Sequence, residues 1–179
     1  MLIGAFIILF SILLDQLTKQ LAQAYIPAII AGQQGNIVII PKVLELSYYQ
    51  NSGASFGILE GQQLLFMVIT VIALAIFGYL FTDVNFKTKK VYSLSIVFFI
   101  AGTLGNAIDR ALFGYVIDFL HFPFLTPILD LFGSSNFYNN IADIVLSAAI
   151  VLFAIDIFFL EPKRKKKEKQ NVIINQDQS

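Results

Sequence analysis

The stretch GQQLLFMVITVIALAIFGYLFT, Gly61 to Thr82, contains no charged side chain, and Glu60 and Asp83 stand directly at its two ends. A helix of that length rises about 33 Å, enough to cross the roughly 30 Å hydrocarbon core of a bilayer. Working outward, Val91 to Ile108 is a second uncharged run, and Ile144 to Leu160 a third, interrupted only by Asp156. The chain also begins apolar, from Met1 to Leu14, and continues through Asp15-Gln16-Leu17-Thr18-Lys19 into Leu21 to Ile30. A cleaved secretory leader would need a basic n-region and an uninterrupted apolar core. Neither is present, so a retained span at about residues 2–24 is expected. With 57% hydrophobic residues, 13% charged residues and a mean hydropathy of +0.75, the chain is too apolar for a soluble domain of 179 residues. The expected fold is an all-α membrane protein with four transmembrane helices, at about 2–24, 61–82, 91–108 and 143–160. Residues 1–162 would form one domain.

Charge placement sets the expected orientation. Six of the twelve basic residues lie between Lys163 and Lys169, and Lys87, Lys89 and Lys90 lie between two spans. Loops rich in Lys and Arg stay cytoplasmic. Both termini are therefore expected inside, with 163–179 a basic, disordered cytoplasmic tail able to meet anionic lipid heads. Asn51, Asp109, Asp118, Asn140 and Asp143 then fall at the outer ends of their spans, and Asp83 and Asp156 at the cytoplasmic ends, solvated. Between the first two spans, Gly32, Gly35, Pro41 and Gly53 punctuate short β-prone pieces at 36–40 and 44–49. These read as strands, forming an extracytoplasmic β-cradle at about 36–59 with Tyr48, Tyr49 and Phe56 at headgroup depth.

No cysteine and a single histidine, His121, leave thiolate and histidine-based metal chemistry without parts. Gly53-Ala54-Ser55-Phe56-Gly57 matches the G-x-S-x-G elbow of serine hydrolases, but a general base is missing, and a sharp backbone turn is the better use of its glycines. What remains is a carboxylate pair. Two neighbouring aspartates do not ionise together readily, so one can hold a proton while the other accepts one. Asp109, beside Arg110 and three after Asn106, has local partners. Asp118 and Asp143 are the least compensated, although Asp143 also suits a helix N-terminus. Asp15 and Lys19 share a helix face four apart; they either neutralise each other or point at a site built by other helices. His121 is either a modulator of the pair or a plain interface residue. A transporter would need polar groups at several depths, and the middles of the later spans are bare.

Five motifs, Asp15-Gln16-Leu17-Thr18-Lys19, Asn51-Ser52-Gly53-Ala54-Ser55-Phe56-Gly57, Gly105-Asn106-Ala107-Ile108-Asp109-Arg110, Val116-Ile117-Asp118-Phe119 and Asn140-Ile141-Ala142-Asp143, occur in the order found in the lipoprotein signal peptidase (signal peptidase II) family, which the chain resembles over nearly all its length. That resemblance implies an aspartic endopeptidase of the bacterial inner membrane that removes the signal peptide from prolipoproteins before a diacylglyceryl-modified cysteine. By motif, Asp118 and Asp143 would be catalytic, and Asp15, Lys19, Asn51, Gly53, Asn106, Asp109, Arg110 and Asn140 would bind substrate or brace the site. No cofactor or metal is implied. The expected partners are the modified prolipoprotein and membrane lipids, with no nucleic acid, and a monomer is expected. Ser55, Ala101 and Asn139 depart from the family's usual residues, and the 121–138 loop, with its extra carboxylate Asp130, is long.

Overall fold

The protein is described here from a computed structural model, which covers residues 1–26, 36–53, 62–132 and 137–176. Four helices among them are long and apolar enough to cross a membrane: α1 (Leu2–Tyr25), α2 (Gln63–Phe81), α3 (Lys90–Phe113) and α5 (Ile141–Ile155), the last continuing past Ile155. The expected positions of Ser55, Phe56 and Gly57 lie outside the described residues, as do those of Gly32 and Gly35.

α3 is the central helix, packed against α1, α2 and α5. Its small residues make this possible. A Cβ on Gly102 would lie 2.5 Å from Leu146 Cγ and 2.7 Å from the Ala142 carbonyl oxygen of α5. One on Gly105 would meet Asp15 Oδ2 of α1 at 2.8 Å. Membrane helices gain no hydrophobic drive from lipid, so close backbone approach through small residues supplies the packing. Gly102→Ala is therefore expected to lower stability by about 1–3 kcal/mol, seen as a lower midpoint of thermal unfolding in detergent. α2 is the loosest member: Phe66 is its one fully buried residue, Phe77 stacks on Phe99 of α3 at 4.3 Å, and Leu64, Met67, Val71, Ile72, Ile76 and Tyr79 are exposed, as lipid contact requires. α3 stops at Gly114, whose φ of 80° places it in the left-handed conformation that ends helices cheaply only with glycine.

The described residues also form a four-stranded antiparallel sheet in the order β1-β2-β3-β4, with β1 at Ile37–Ile40, β2 at Leu44–Asn51, β3 at Val116–His121 and β4 at Tyr138–Asn139. The first two occupy the expected β-prone pieces. The other two come from the far side of α3, so the cradle joins two distant parts of the chain. Tyr48, Ile117, Phe119 and Leu120 of the sheet pack on Ala22 and Ile26 at the end of α1.

Two expectations at the opposite end change. The basic tail is not a disordered extension: Glu161–Gln176 forms a helix, α6, continuous with α5 through a π-helical turn at Asp156–Leu160. Asp156 is not solvated but buried, held by both guanidinium nitrogens of Arg164 at 2.8 and 2.6 Å. The wider π turn accommodates this i, i+8 pairing, and the pairing ties the tail to the bundle. Asp83 does remain largely exposed, paired with Lys89.

Candidate functional site

The site is built in two tiers, and the lower tier is centred on Lys19. Its side chain is fully buried, with Nζ at 2.8 Å from Asp15 Oδ2, 3.0 Å from Asp109 Oδ2 and 3.1 Å from Asn106 Oδ1. With the Gly105 carbonyl oxygen also at 3.5 Å, the ammonium's three donors have acceptors enough, the condition under which a buried charge is tolerated. Each carboxylate also holds another element. Asp15 Oδ1 accepts the Ala142 backbone N–H at 2.8 Å, fixing the start of α5. Asp109 Oδ2 accepts the Ile117 N–H at 2.9 Å, fixing β3. Asp15 and Lys19 do pair with each other, and their face also points at Asn106 and Asp109 of α3.

The upper tier follows from the lower. Because Lys19 only donates, Asn106 turns its oxygen toward Lys19 and its Nδ2 toward Asp143 Oδ1, at 2.7 Å. Asn140 is the N-cap of α5. Its Oδ1 accepts the Asp143 N–H at 2.9 Å, its own N–H donates to Asp143 Oδ2 at 3.1 Å, and its Nδ2 donates to Asp118 Oδ1 at 2.6 Å. Asp143 therefore does answer a helix N-terminus, through a capping box with Asn140, and it also faces the site. On the other side, β2 and β3 pair with Asn51 opposite Val116 and Tyr49 opposite Asp118. Asn51 and Asp118 are thereby diagonal neighbours on one face, and Asn51 Nδ2 donates to Asp118 Oδ2 at 2.8 Å. The two uncompensated aspartates are thus held by one set of carboxamides, with Asn140 touching both.

Both carboxylates line one cavity of about 270 Å³, along with Asn51, Gly53, Asn106 and Arg110. Arg110 is not a partner of Asp109, as their adjacency suggested. It turns into the cavity, over the Phe66 ring at 4.5 Å, and donates to the Gly53 carbonyl oxygen at 3.4 Å. Asp118 is 1% exposed. Burial first, then the facing Asp143 carboxylate, push its carboxyl up to about 8, since both disfavour the charged form.

All ten residues singled out in the sequence meet in this network or its cavity. Sequence reasoning passed over Gln16, which donates to Asp109 Oδ1 at 2.9 Å and to the Gly105 carbonyl at 3.1 Å. A polar residue inside an apolar span is itself the signal that would have found it. It also passed over the apolar wall, Phe66 and Ile69 of α2 and Leu146 of α5, which resembles any lipid-facing surface. His121 points away from the pair: its Nδ1 lies 3.1 Å from Glu45 Oε2 across the sheet. Among the described residues no group of three or more His, Cys, Asp or Glu side chains is placed to hold a metal ion.

Fold and site together define a multi-pass membrane protein with a buried carboxylate pair where its helices meet a small sheet. Known proteins narrow that class. A family model described as signal peptidase (SPase) II matches residues 7–159. A lipoprotein signal peptidase of Staphylococcus aureus is 34% identical over 94% of this chain and 92% of its own, and one of Listeria monocytogenes is 36% identical over 86% and 92%. A solved bacterial membrane enzyme superposes with a TM-score of 0.71 at 31% identity, covering 92% of each chain. The chain belongs to the signal peptidase II family and is a membrane peptidase.

Proposed function

We propose that the protein is an aspartic endopeptidase that removes the signal peptide from prolipoproteins, cutting before the diacylglyceryl-modified cysteine, with Asp118 and Asp143 as its catalytic pair. The observation that carries this is their convergence: carboxylates 25 positions apart, one on β3 and one on α5, open into the same cavity and share Asn140. With the pair holding one proton, the charged carboxylate takes a proton from a water molecule as its oxygen attacks the scissile carbonyl carbon. The protonated one donates to the carbonyl oxygen, giving a neutral gem-diol. Collapse breaks the C–N bond, returns a proton from the gem-diol to a carboxylate and passes one to the departing amine, so the pair ends as it began. Asn51, Asn106 and Asn140 keep both carboxyl groups oriented, while Asp15, Lys19 and Asp109 hold the elements that carry them. Gly53 and Arg110 sit at the cavity where peptide backbone would lie.

The remaining geometry is consistent with a substrate that arrives through lipid. The cavity wall descends along Ile69 and Ala73 of α2 to Leu146 of α5, an apolar route for a signal helix whose acyl chains stay in the bilayer. The site and the basic segments Lys87–Lys90 and Lys163–Lys169 lie at opposite ends of the bundle. By the charge rule, the enzyme sits in the bacterial cytoplasmic membrane with both termini inside and the site at the outer face. It acts as a monomer, on lipid-modified substrate and without nucleic acid.

The test is cleavage of a diacylglyceryl-modified prolipoprotein by the wild type and by Asp118→Asn and Asp143→Asn; an unmodified precursor should be cut poorly. A pH series provides a second check. Cleavage requires the shared proton, and the group that holds it titrates at about 8. Turnover should therefore fall as pH rises through about 8, approaching tenfold per pH unit beyond it. A flat profile from pH 7 to 10 would show that cleavage needs no acid titrating near 8.

A further inference from the structure

The sheet carries an irregularity whose consequence reaches the catalytic pair. Along β2 and β3 the pairs Glu45–His121 and Leu46–Leu120 follow one register, and Tyr49–Asp118, Gln50–Ile117 and Asn51–Val116 follow another. Between them Ser47 and Tyr48 together face Phe119, a one-residue bulge in β2. Both are buried, so the alternation of a regular strand is broken there. The bulge decides which face Asn51 occupies. Residues directly opposite share a face, and slipping a strand by one residue turns its side chains over. Without the extra residue Tyr48 would stand across from Asp118 and Gln50 across from Val116, leaving Asn51 on the far face. Its donation to Asp118 Oδ2 at 2.8 Å therefore depends on the bulge.

A bulge disrupts the ladder locally, and here a chain of polar side chains spans it. Ser47 Oγ donates to Asn36 Oδ1 at 2.6 Å, Asn36 Nδ2 donates to Glu45 Oε2 at 2.9 Å, and His121 Nδ1 lies 3.1 Å from the same Glu45 oxygen. Ser47 belongs to the bulge, Glu45 and His121 are the pair two positions before it, and Asn36 directly precedes β1. One carboxylate oxygen thus ties the bulged strand to the chain on both sides of it. The link continues toward the site through aromatic rings. His121 meets Tyr138, the residue opposite it on β4, with centroids 5.1 Å apart. Tyr138 lines the cavity of Asp118 and Asp143 and stacks at 5.0 Å on Tyr49, which itself stands across from Asp118.

From this we infer that Glu45, with Asn36, Ser47 and His121, is a positioning group for the reaction: it locks the bulge that sets Asn51 against Asp118. The inference rests on the reading of Asp118 as catalytic; the strand register it invokes does not. Bulges beside active sites re-aim a side chain, and the side chain re-aimed here is Asn51. None of the four touches the reacting atoms, so their effect on cleavage passes through the register alone.

Two measurements on the full chain in vesicles test it. In Glu45→Leu, kcat for a lipid-modified prolipoprotein should fall about 100-fold, the cost of a small misplacement at a reacting centre, with KM changed by less than about twofold. The alkaline limb of its pH profile should move upward, because the lost Asn51 hydrogen bond favoured the ionised Asp118. Glu45→Gln keeps an acceptor oxygen for Asn36 and His121 and should recover most of the turnover. The register is read by disulfide formation, since the chain has no cysteine of its own. Gln50→Cys with Ile117→Cys, directly paired, should cross-link readily in the wild-type background. Tyr49→Cys with Ile117→Cys, on opposite faces, should not. Glu45→Leu should raise the second cross-link at the expense of the first. If Glu45→Leu does not fold, His121→Phe breaks the same link while keeping a ring against Tyr138. Full kcat in these variants would overturn the proposal, and so would a lowered kcat with the wild-type cross-linking pattern. Cleavage by Asp118→Asn would sink the catalytic reading instead, and would leave the cross-linking result standing.

Discussion

Asp118→Asn and Asp143→Asn are each expected to lower cleavage of a lipid-modified prolipoprotein by about 10⁴-fold or more, with expression and membrane insertion retained. The size follows from the mechanism. The pair supplies both the base for the water and the acid for the carbonyl, and losing one member of a unit that acts together costs nearly as much as losing the whole. An asparagine is close in shape, and its oxygen can still accept from Asn51 or Asn140 at Asp118, so the loss should appear in turnover rather than in folding. A control separates these. The folded-state pKa of Asp118 is raised to about 8, above the value of about 3.9 expected in the unfolded chain. Its contribution is therefore fully present below pH ~4 and lost as pH climbs through about 8, where an ionised carboxylate must stay buried beside Asp143. Asp118→Asn removes that cost, so the variant should unfold at a higher temperature than the wild type at pH 9, with the gap narrowing toward pH 5. An inactive variant that is also unstable at pH 9 would mean that Asp118 braces the fold rather than reacts.

The membrane character was readable because it depends on run length and charge exclusion alone; Gly61 to Thr82 needs no tertiary knowledge. The polar motifs were readable for a related reason: a carboxylate or carboxamide at the border of an apolar helix is costly unless it has work. Pairing was another matter. Val116–His121 is buried along most of its length, so it shows no alternation, and a short apolar run of that kind cannot be told from helix by pattern. Its pairing with β2 and β4 makes it a strand, and the β2 register places Asn51 beside Asp118. Arg110 and Asp109, adjacent in sequence, face different ways because consecutive helical residues are about 100° apart, so adjacency never made them partners. The tail misled for the opposite reason. Its local composition is that of a solvated segment, yet Arg164 reaches back to the buried Asp156, and helix continuity carries the rest. Ordinary charge counting could not tell that one of six tail cations answers a buried carboxylate.

Lys19→Met should be the most damaging change outside the pair. The ammonium is the shared partner of Asp15 and Asp109 and orients Asn106. Removing it leaves two buried carboxylates facing each other without compensation, a loss of about 3–5 kcal/mol when one member of a buried ion pair is deleted. The damage would spread through the contacts these carboxylates make: Asp15 would loosen its hold on the Ala142 N–H of α5, and Asp109 on the Ile117 N–H of β3. Those elements carry Asp143 and Asp118, so stability and cleavage should fall together. The triple change Asp15→Asn, Lys19→Met, Asp109→Asn separates charge from shape. Each asparagine keeps an oxygen for its backbone N–H and no charge remains buried, so much of the lost stability should return, as when whole buried ion clusters are replaced by neutral groups. Cleavage should recover far less, because Asn106 no longer has a cation to fix which of its ends meets Asp143. Stability in the triple variant as low as in Lys19→Met would show instead that the methylene stem of Lys19, and not its charge, holds the helices together.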